Sequence, residues 1–239
     1  MFTYMVYDCE IIKAIPNPKV VQSGKIEYCK GWDDIEGMGI SCIGARIVNV
    51  NNTEYEFYDT AFVDDSLVDE LDGQLDNFEA FDLCLENVHC IVGFNNNHFD
   101  DKLLNANGYK IPFGVINYDI LAEIWEGAGL SRTFEYPSHT GFSLDAICSA
   151  NGIGKKTGTG ELAPILWQNN KKNEVISYCK NDVKLTDALF RLIQQKGEIV
   201  DPRQFNDKFK YYNPNFEFKP IKVKTISDIL GLKDIGETK

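Results

Sequence analysis

The chain opens on a short apolar and aromatic run, Tyr4–Tyr7, which predicts a strand. Residues 11–37 hold two prolines, several glycines and mixed polar residues, and predict mainly loop. Gly39–Val50 and Glu54–Val63 are β-rich and separated by an Asn-Asn pair, so they predict a hairpin, with Asn51 and Asn52 tolerating positive φ at the turn. Over Asp65–Asn87, apolar residues at Leu67, Val68, Leu71, Leu75, Phe78 and Leu85 recur at helical spacing, with acids on the remaining faces. His89–Gly93 predicts a short buried strand, followed by a helix from about His98 to Ala106 that Asn107-Gly108 ends.

Tyr118–Glu126 and Ser143–Ala150 predict helices, the second with Ser143 as N-cap. Residues 151–160 form a glycine-rich loop. Glu174–Lys196 is the clearest helix, with a stripe of Cys179, Val183, Thr186, Phe190 and Ile193 stepping by 4, 3, 4, 3. After Asp201-Pro202 the pattern weakens. Residues 203–224 are aromatic and basic, and Ser227–Leu232 predicts one more short helix. Strands that come first, then alternate with helices, imply an α/β protein built on a mixed β-sheet flanked by helices.

Length adds that 239 residues suit one domain with a tail, expected as a catalytic domain over 1–199 and a C-terminal extension over 200–239 packed on it. At 44% hydrophobic and 25% charged residues, a core of ordinary size is within reach. No apolar run approaches the roughly 20 residues that cross a bilayer, so no membrane partner is expected. Seven cysteines without a Cys-x-x-Cys pair argue against a disulfide framework or zinc site and for a reducing compartment. The expected location is cytoplasmic, the host cytoplasm if the protein is viral.

Charge is unevenly placed. The net charge of −12 splits into −17 over residues 1–150 and +5 over 151–239, and no Lys or Arg lies between Arg46 and Lys102. Such a protein is a poor non-specific coater of nucleic acid, since that binding rests on many Lys and Arg contacts to phosphate. A small-footprint nuclease remains open to it, because bound cations add positive charge where the substrate sits.

Three acidic segments carry candidate chemistry. Asp8-Cys9-Glu10 directly follows the opening strand, where residues two apart project from one face and aim two carboxylates at one point. The same triplet also suits a polar loop. In the segment from Gly93 to Leu104, a buried strand ends, a polar turn follows, and Phe99-Asp100 opens a helix. Asp101 is the neighbouring alternative to Asp100, Asn96 to Asn95, and acids there also suit the helix dipole. In the long helix, Tyr178 and Asp182 lie four apart on a face continued by Leu185 and Leu189. A carboxylate at the edge of a packed face is costly unless paired or metal-bound.

Together these segments resemble the motifs of the DEDD (DnaQ-like) 3′–5′ exonuclease superfamily. The similarity is greatest to the proofreading exonuclease domain of family-B DNA polymerases and its stand-alone phage-type relatives. Asp8 and Glu10 match the first motif, Asn95, Phe99 and Asp100 the second, and Tyr178 and Asp182 the third; the likeness spans roughly residues 3–195. Ser177 stands where the histidine branch needs His, and Tyr178 fits the tyrosine branch.

The resemblance implies a ribonuclease-H-like fold and a two-metal hydrolysis that releases nucleoside 5′-monophosphates from a DNA 3′ end, expected to be single-stranded. It implies two divalent cations, Mg²⁺ or Mn²⁺, held by Asp8, Glu10, Asp100 and Asp182, with Tyr178 orienting water. Asn95, Phe99, Lys155 and Lys156 are the expected substrate contacts, and a DNA polymerase acting in trans is a possible partner. Other lysines (Lys171, Lys172, Lys180, Lys184) gather near the third motif and suit either a backbone track or an ordinary surface. An RNA-trimming exonuclease on the same scaffold, or a non-catalytic subunit binding nucleic acid or a polymerase, are the rival readings. The loop Gly154–Thr157 lacks the spacing of a Walker phosphate loop.

Overall fold

A computed structural model describes residues 2–17, 25–51 and 54–232. In chain order the elements are β1 (Phe2–Ile11), α1 (Ile35–Met38), β2 (Ile40–Asn51), β3 (Glu54–Val63), α2 (Asp65–Val68), β4 (Leu75–Asn77), α3 (Phe78–Asn87), β5 (Cys90–Gly93) and α4 (Asp100–Ala106). They continue as β6 (Ile116–Asp119), α5 (Ile120–Gly127), α6 (Leu144–Ala150), α7 (Ala163–Gln168), α8 (Lys172–Lys196), β7 (Glu198–Ile199), α9 (Asp207–Tyr212), β8 (Ile221–Lys222) and α10 (Ile226–Ile229). By internal contacts the chain groups into two compact units, one of residues up to 117 with 156–184, the other of 118–155 with 185 onward. The segment after residue 199 belongs to the second unit.

The main sheet has six strands in the order β4-β3-β2-β1-β5-β6. β1 runs antiparallel to β2, with Asp8 opposite Gly44 and Glu10 opposite Cys42, and parallel to β5. β2 and β3 are antiparallel, and β4 adds to β3 in parallel. A mixed sheet flanked by helices, with an antiparallel meander leading into a parallel neighbour of β1, is the ribonuclease-H-like arrangement expected.

The side-chain period of two sorts β1 between two cores of the first unit. Met5, Tyr7, Cys9 and Ile11 pack with Phe62 of β3, Phe81 and Leu85 of α3, and Leu103 and Leu104 of α4. On the other side, Cys42, Ala61 and Val63 pack with Trp167 of α7 and with Val175, Ile176 and Cys179 of α8. Asp8 and Glu10 therefore project toward α8. Gly44 lets that helix come close, since a Cβ there would sit 2.7 Å from Cys179 Sγ.

The stretch 65–87 is not one helix. It divides into α2, the edge strand β4 and α3, with Gly73 at φ +117° in the break. Asn77 caps α3 by accepting from Ala80 N–H at 3.0 Å. One apolar stripe serves two cores: Leu67, Val68, Leu71 and Leu75 join the α8 side, and Phe78, Phe81 and Leu85 the other. Tyr118 and Asp119 end β6 rather than opening a helix, and Asp119 caps α5 through Leu121 and Ala122 N–H. α7 lies in a stretch with no predicted element. Asn51 ends β2 opposite Glu54, and Asn52 lies outside the described residues.

In the second unit, Ser143 caps α6 as expected, and Tyr118 packs edge-on to Phe190 with ring centres 5.2 Å apart. Arg203 forks onto Asp201 and lies over the rings of Phe142, Phe209 and Phe216, while Tyr211 and Tyr212 face solvent. None of the seven cysteines is joined in a disulfide. No helix among the described residues is long and apolar enough to cross a membrane.

Candidate metal centre

Asp8, Glu10, Asp100, Tyr178 and Asp182 line one cleft of about 750 Å³ in the first unit, together with Asn95, Phe99 and Lys156. β1 delivers the first two carboxylates, and α8 delivers Tyr178 and Asp182 from one face, one helical turn apart. The second segment enters through a turn. Asn95 adopts φ 69°, a conformation asparagine tolerates, and its carbonyl accepts from His98 and Phe99 N–H. That turn starts α4 at Asp100, whose Oδ1 accepts from Cys9 N–H at 2.9 Å.

The Asp100 and Asp101 alternatives separate by surroundings. Asp100 is buried and lines the cleft; Asp101 does not line it. Tyr7 donates its hydroxyl to Asp101, and Asn117 Nδ2 donates to Asp101 Oδ2 at 2.7 Å. Asn96 is likewise fully buried and bonded to Asn117 at 2.7 Å, whereas Asn95 lines the cleft. Asp101 is thus a structural acceptor. Asp101→Ala is expected to lower stability by about 1–3 kcal/mol, because the buried Tyr7 hydroxyl loses its acceptor. Chemical denaturation of the purified variant measures this.

Among the described residues, Asp8, Glu10 and Cys179 have ligand atoms that all lie within 4.8 Å of one another, a group that could hold a metal ion. Cys179 was readable only as part of the buried stripe, and no motif marks it. Its Sγ accepts from Gly44 N–H at 3.2 Å and lies 3.6 Å from Asp8 Oδ2. Lys156 Nζ pairs with Asp182 Oδ2 at 2.6 Å and sits 5.3 Å from the centre of the Tyr178 ring. Lys155 is exposed and outside the cleft lining. The other lysines form no single track: Lys180 donates to the Gln74 carbonyl, Lys184 lies near Asp59, Lys171 pairs with Glu174, and Lys172 lies over Trp167.

The electrostatics are those of crowded, buried anions. Glu10, Asp100 and Asp182 are 6%, 4% and 3% exposed. Burial, then the charge of Asp182, pushes the Asp8 carboxyl up to about 7, against the pull of Lys156 and Cys179. Burial and the neighbouring Asp8 raise Glu10 well above the usual carboxylate range, and the same two causes raise Asp100, partly offset by the Cys9 N–H. Burial, then Asp182 and Glu10, hold the Tyr178 phenol protonated far above its ordinary value. One lysine against four acids leaves a charge deficit that hard, oxygen-preferring cations fit.

No protein-family model and no curated protein matches the chain. Among solved structures, the chain is similar to the family B DNA polymerase from the hyperthermophilic archaeon Pyrobaculum calidifontis, at 16% identity and a TM-score of 0.48. The match covers 81% of this chain and 24% of the polymerase, so the chain spans about a quarter of that protein's length.

Proposed function

We propose that the chain is a metal-dependent 3′–5′ exonuclease of the tyrosine type, removing nucleotides from a single-stranded DNA end. The observation that carries this reading is the meeting of Asp8, Glu10, Asp100 and Asp182 with Tyr178 in one cleft, from a strand, a turn and a distant helix.

Asp8, Glu10 and Asp182 would hold one divalent cation, Mg²⁺ or Mn²⁺, and Asp8 with Asp100 a second. Bound there, the cations would lower the pKa of water and stabilise the charge of the displaced oxygen. Water's oxygen bonds to phosphorus, the P–O3′ bond breaks, and the departing 3′-oxygen takes a proton, giving a nucleoside 5′-monophosphate. Tyr178, held protonated beside Asp182, orients the water as a hydrogen-bond donor and is no general base. Lys156 reaches the cleft as an ammonium that can pass from Asp182 to a phosphate oxygen. Asn95 and Phe99 contact the terminal nucleotide.

Tyr178→Phe is expected to lower kcat by about tenfold to a hundredfold with little change in KM, since a hydrogen bond to a charged group is worth about 1.5–3 kcal/mol. Steady-state hydrolysis measures it. The reading as a whole is tested on 5′-labelled single-stranded DNA and on a covalently closed single-stranded circle. A ladder shortening from the 3′ end with Mg²⁺, absent in EDTA, and an intact circle are expected. A cut circle, or an unshortened linear strand, contradicts it.

A further inference from the structure

Beyond the carboxylates, the cleft lining includes four aromatic rings, Tyr28, Trp32, Phe94 and Phe99. Trp32 is the unusual member. It is 66% exposed, while Trp125 and Trp167 are 3% and 8% exposed. Its ring lies edge-on to Phe99, with centres 6.3 Å apart. Leaving so large an apolar surface in water gives up about the burial energy of a core side chain.

The segment that carries Trp32 is nevertheless firmly built. Ala14 bridges to it opposite Tyr28, its N–H donating to the Glu27 carbonyl and its carbonyl accepting from Cys29 N–H, each at 3.0 Å. Lys30 N–H donates to the Asp34 carboxylate at 2.7 Å, and Asp34 N–H to the Gly31 carbonyl at 3.1 Å. From α7, Gln168 ties Glu27 to the end of β1, donating to Ile12 O and Glu27 O and accepting from Glu27 N–H. An indole is thus held at the cleft wall, beside Phe99, with most of its surface open.

We propose that Trp32 is a specificity-determining residue that stacks on the unpaired base of the 3′-terminal nucleotide, with Phe99 bracing it. This rests on the exonuclease reading of the same cleft. Stacking uses a face that every base has, so Trp32 selects a frayed or single-stranded end over a paired one without selecting sequence. A paired terminal base must first give up its pairing and its stacking on the penultimate base, a cost of a few kcal/mol, to reach the indole.

The test uses the full chain, its Trp32→Ala and Trp32→Phe variants, and an oligothymidylate with or without its 3′-terminal base. Trp32→Ala is expected to raise KM about tenfold on the intact oligonucleotide with kcat little changed, because stacking binds ground and transition states alike. Trp32→Phe is expected to restore most of the loss. On the oligonucleotide lacking its terminal base, wild type and Trp32→Ala should have the same KM, a result no merely structural role produces. An unchanged KM, or an equal penalty on both substrates, overturns the proposal. A parallel titration of intrinsic fluorescence with oligothymidylate in Ca²⁺ separates the two readings. Saturable quenching that Trp32→Phe loses supports stacking even if the wild type hydrolyses nothing, in which case the exonuclease reading fails alone. Hydrolysis without such quenching overturns the stacking and leaves the exonuclease reading standing.

Discussion

Asp8→Ala is expected to reduce hydrolysis by about a thousandfold or more, because a carboxylate shared between two cations supports several kcal/mol of transition-state stabilisation and each 1.36 kcal/mol is tenfold. The same substitution is expected to raise the melting temperature of the metal-free protein. Asp8 stands among buried acids, and its own charge raises both Glu10 and Asp100. Removing it relieves that repulsion without opening the apolar core that holds the odd-numbered residues of β1. Loss of activity with gain of stability is the mark of a group kept for function rather than for folding. Single-turnover hydrolysis and thermal melting in EDTA read the two effects. A variant that keeps a tenth of the activity, or that melts below the wild type in EDTA, contradicts this role.

The second large effect is a metal-dependent stability that grows with pH. In the metal-free protein the folded-state pKa of Asp8 is raised to about 7 from its ordinary value near 3.8, so the folded state binds a proton that the unfolded chain releases. The stability this contributes is fully present below the unfolded value and is lost as pH rises through about 7. Glu10 and Asp100, also raised, act in the same direction. Divalent cations reverse the trend, since they bind the deprotonated carboxylates and displace those protons. At about a hundred times its dissociation constant, one bound ion adds about 2.7 kcal/mol, or roughly 5–10 °C in a chain of this size. Melting curves at pH 5 and pH 8, with Mn²⁺ and with EDTA, should show a small ion-induced shift at the lower pH and a large one at the higher. Equal shifts at both pH values, or a shift that survives in Asp8→Ala, contradict the assignment of the cations to these acids.

The candidate site was legible where its chemistry is local. Asp8 and Glu10 share a face because strands have a period of two, and Tyr178 and Asp182 share one because helices nearly repeat every four residues. Those relations survive any tertiary arrangement. What the sequence hid depends on which distant element arrives. Asp100 and Asp101 are alike in type and neighbours in sequence, and only the Cys9 N–H on one side and Tyr7 and Asn117 on the other tell them apart. Lys155 and Lys156 are equally alike, and Asp182 draws in one of them. Cys179 reads as core because it is core; its closeness to Asp8 comes from Gly44 letting α8 approach β2.

The fold divides in the same way. The β2–β3 pairing and the capping of α6 by Ser143 follow from local residues. The break at 69–77 does not, because an apolar stripe records that residues are buried and not in which core. Leu75 satisfies helical spacing equally well as the first residue of an edge strand beside Ala61. Trp32 lay in a segment with no periodicity at all, fixed by Gln168 from α7 as well as by the local Lys30–Asp34 turn.

The central claim is that these carboxylates hold two cations at one cleft. The most direct measurement is anomalous diffraction from crystals grown with Mn²⁺. Two peaks about 4 Å apart are expected, with Asp8 between them, Glu10 and Asp182 at one and Asp100 at the other. An absence of anomalous density among these four side chains at saturating Mn²⁺ would contradict it.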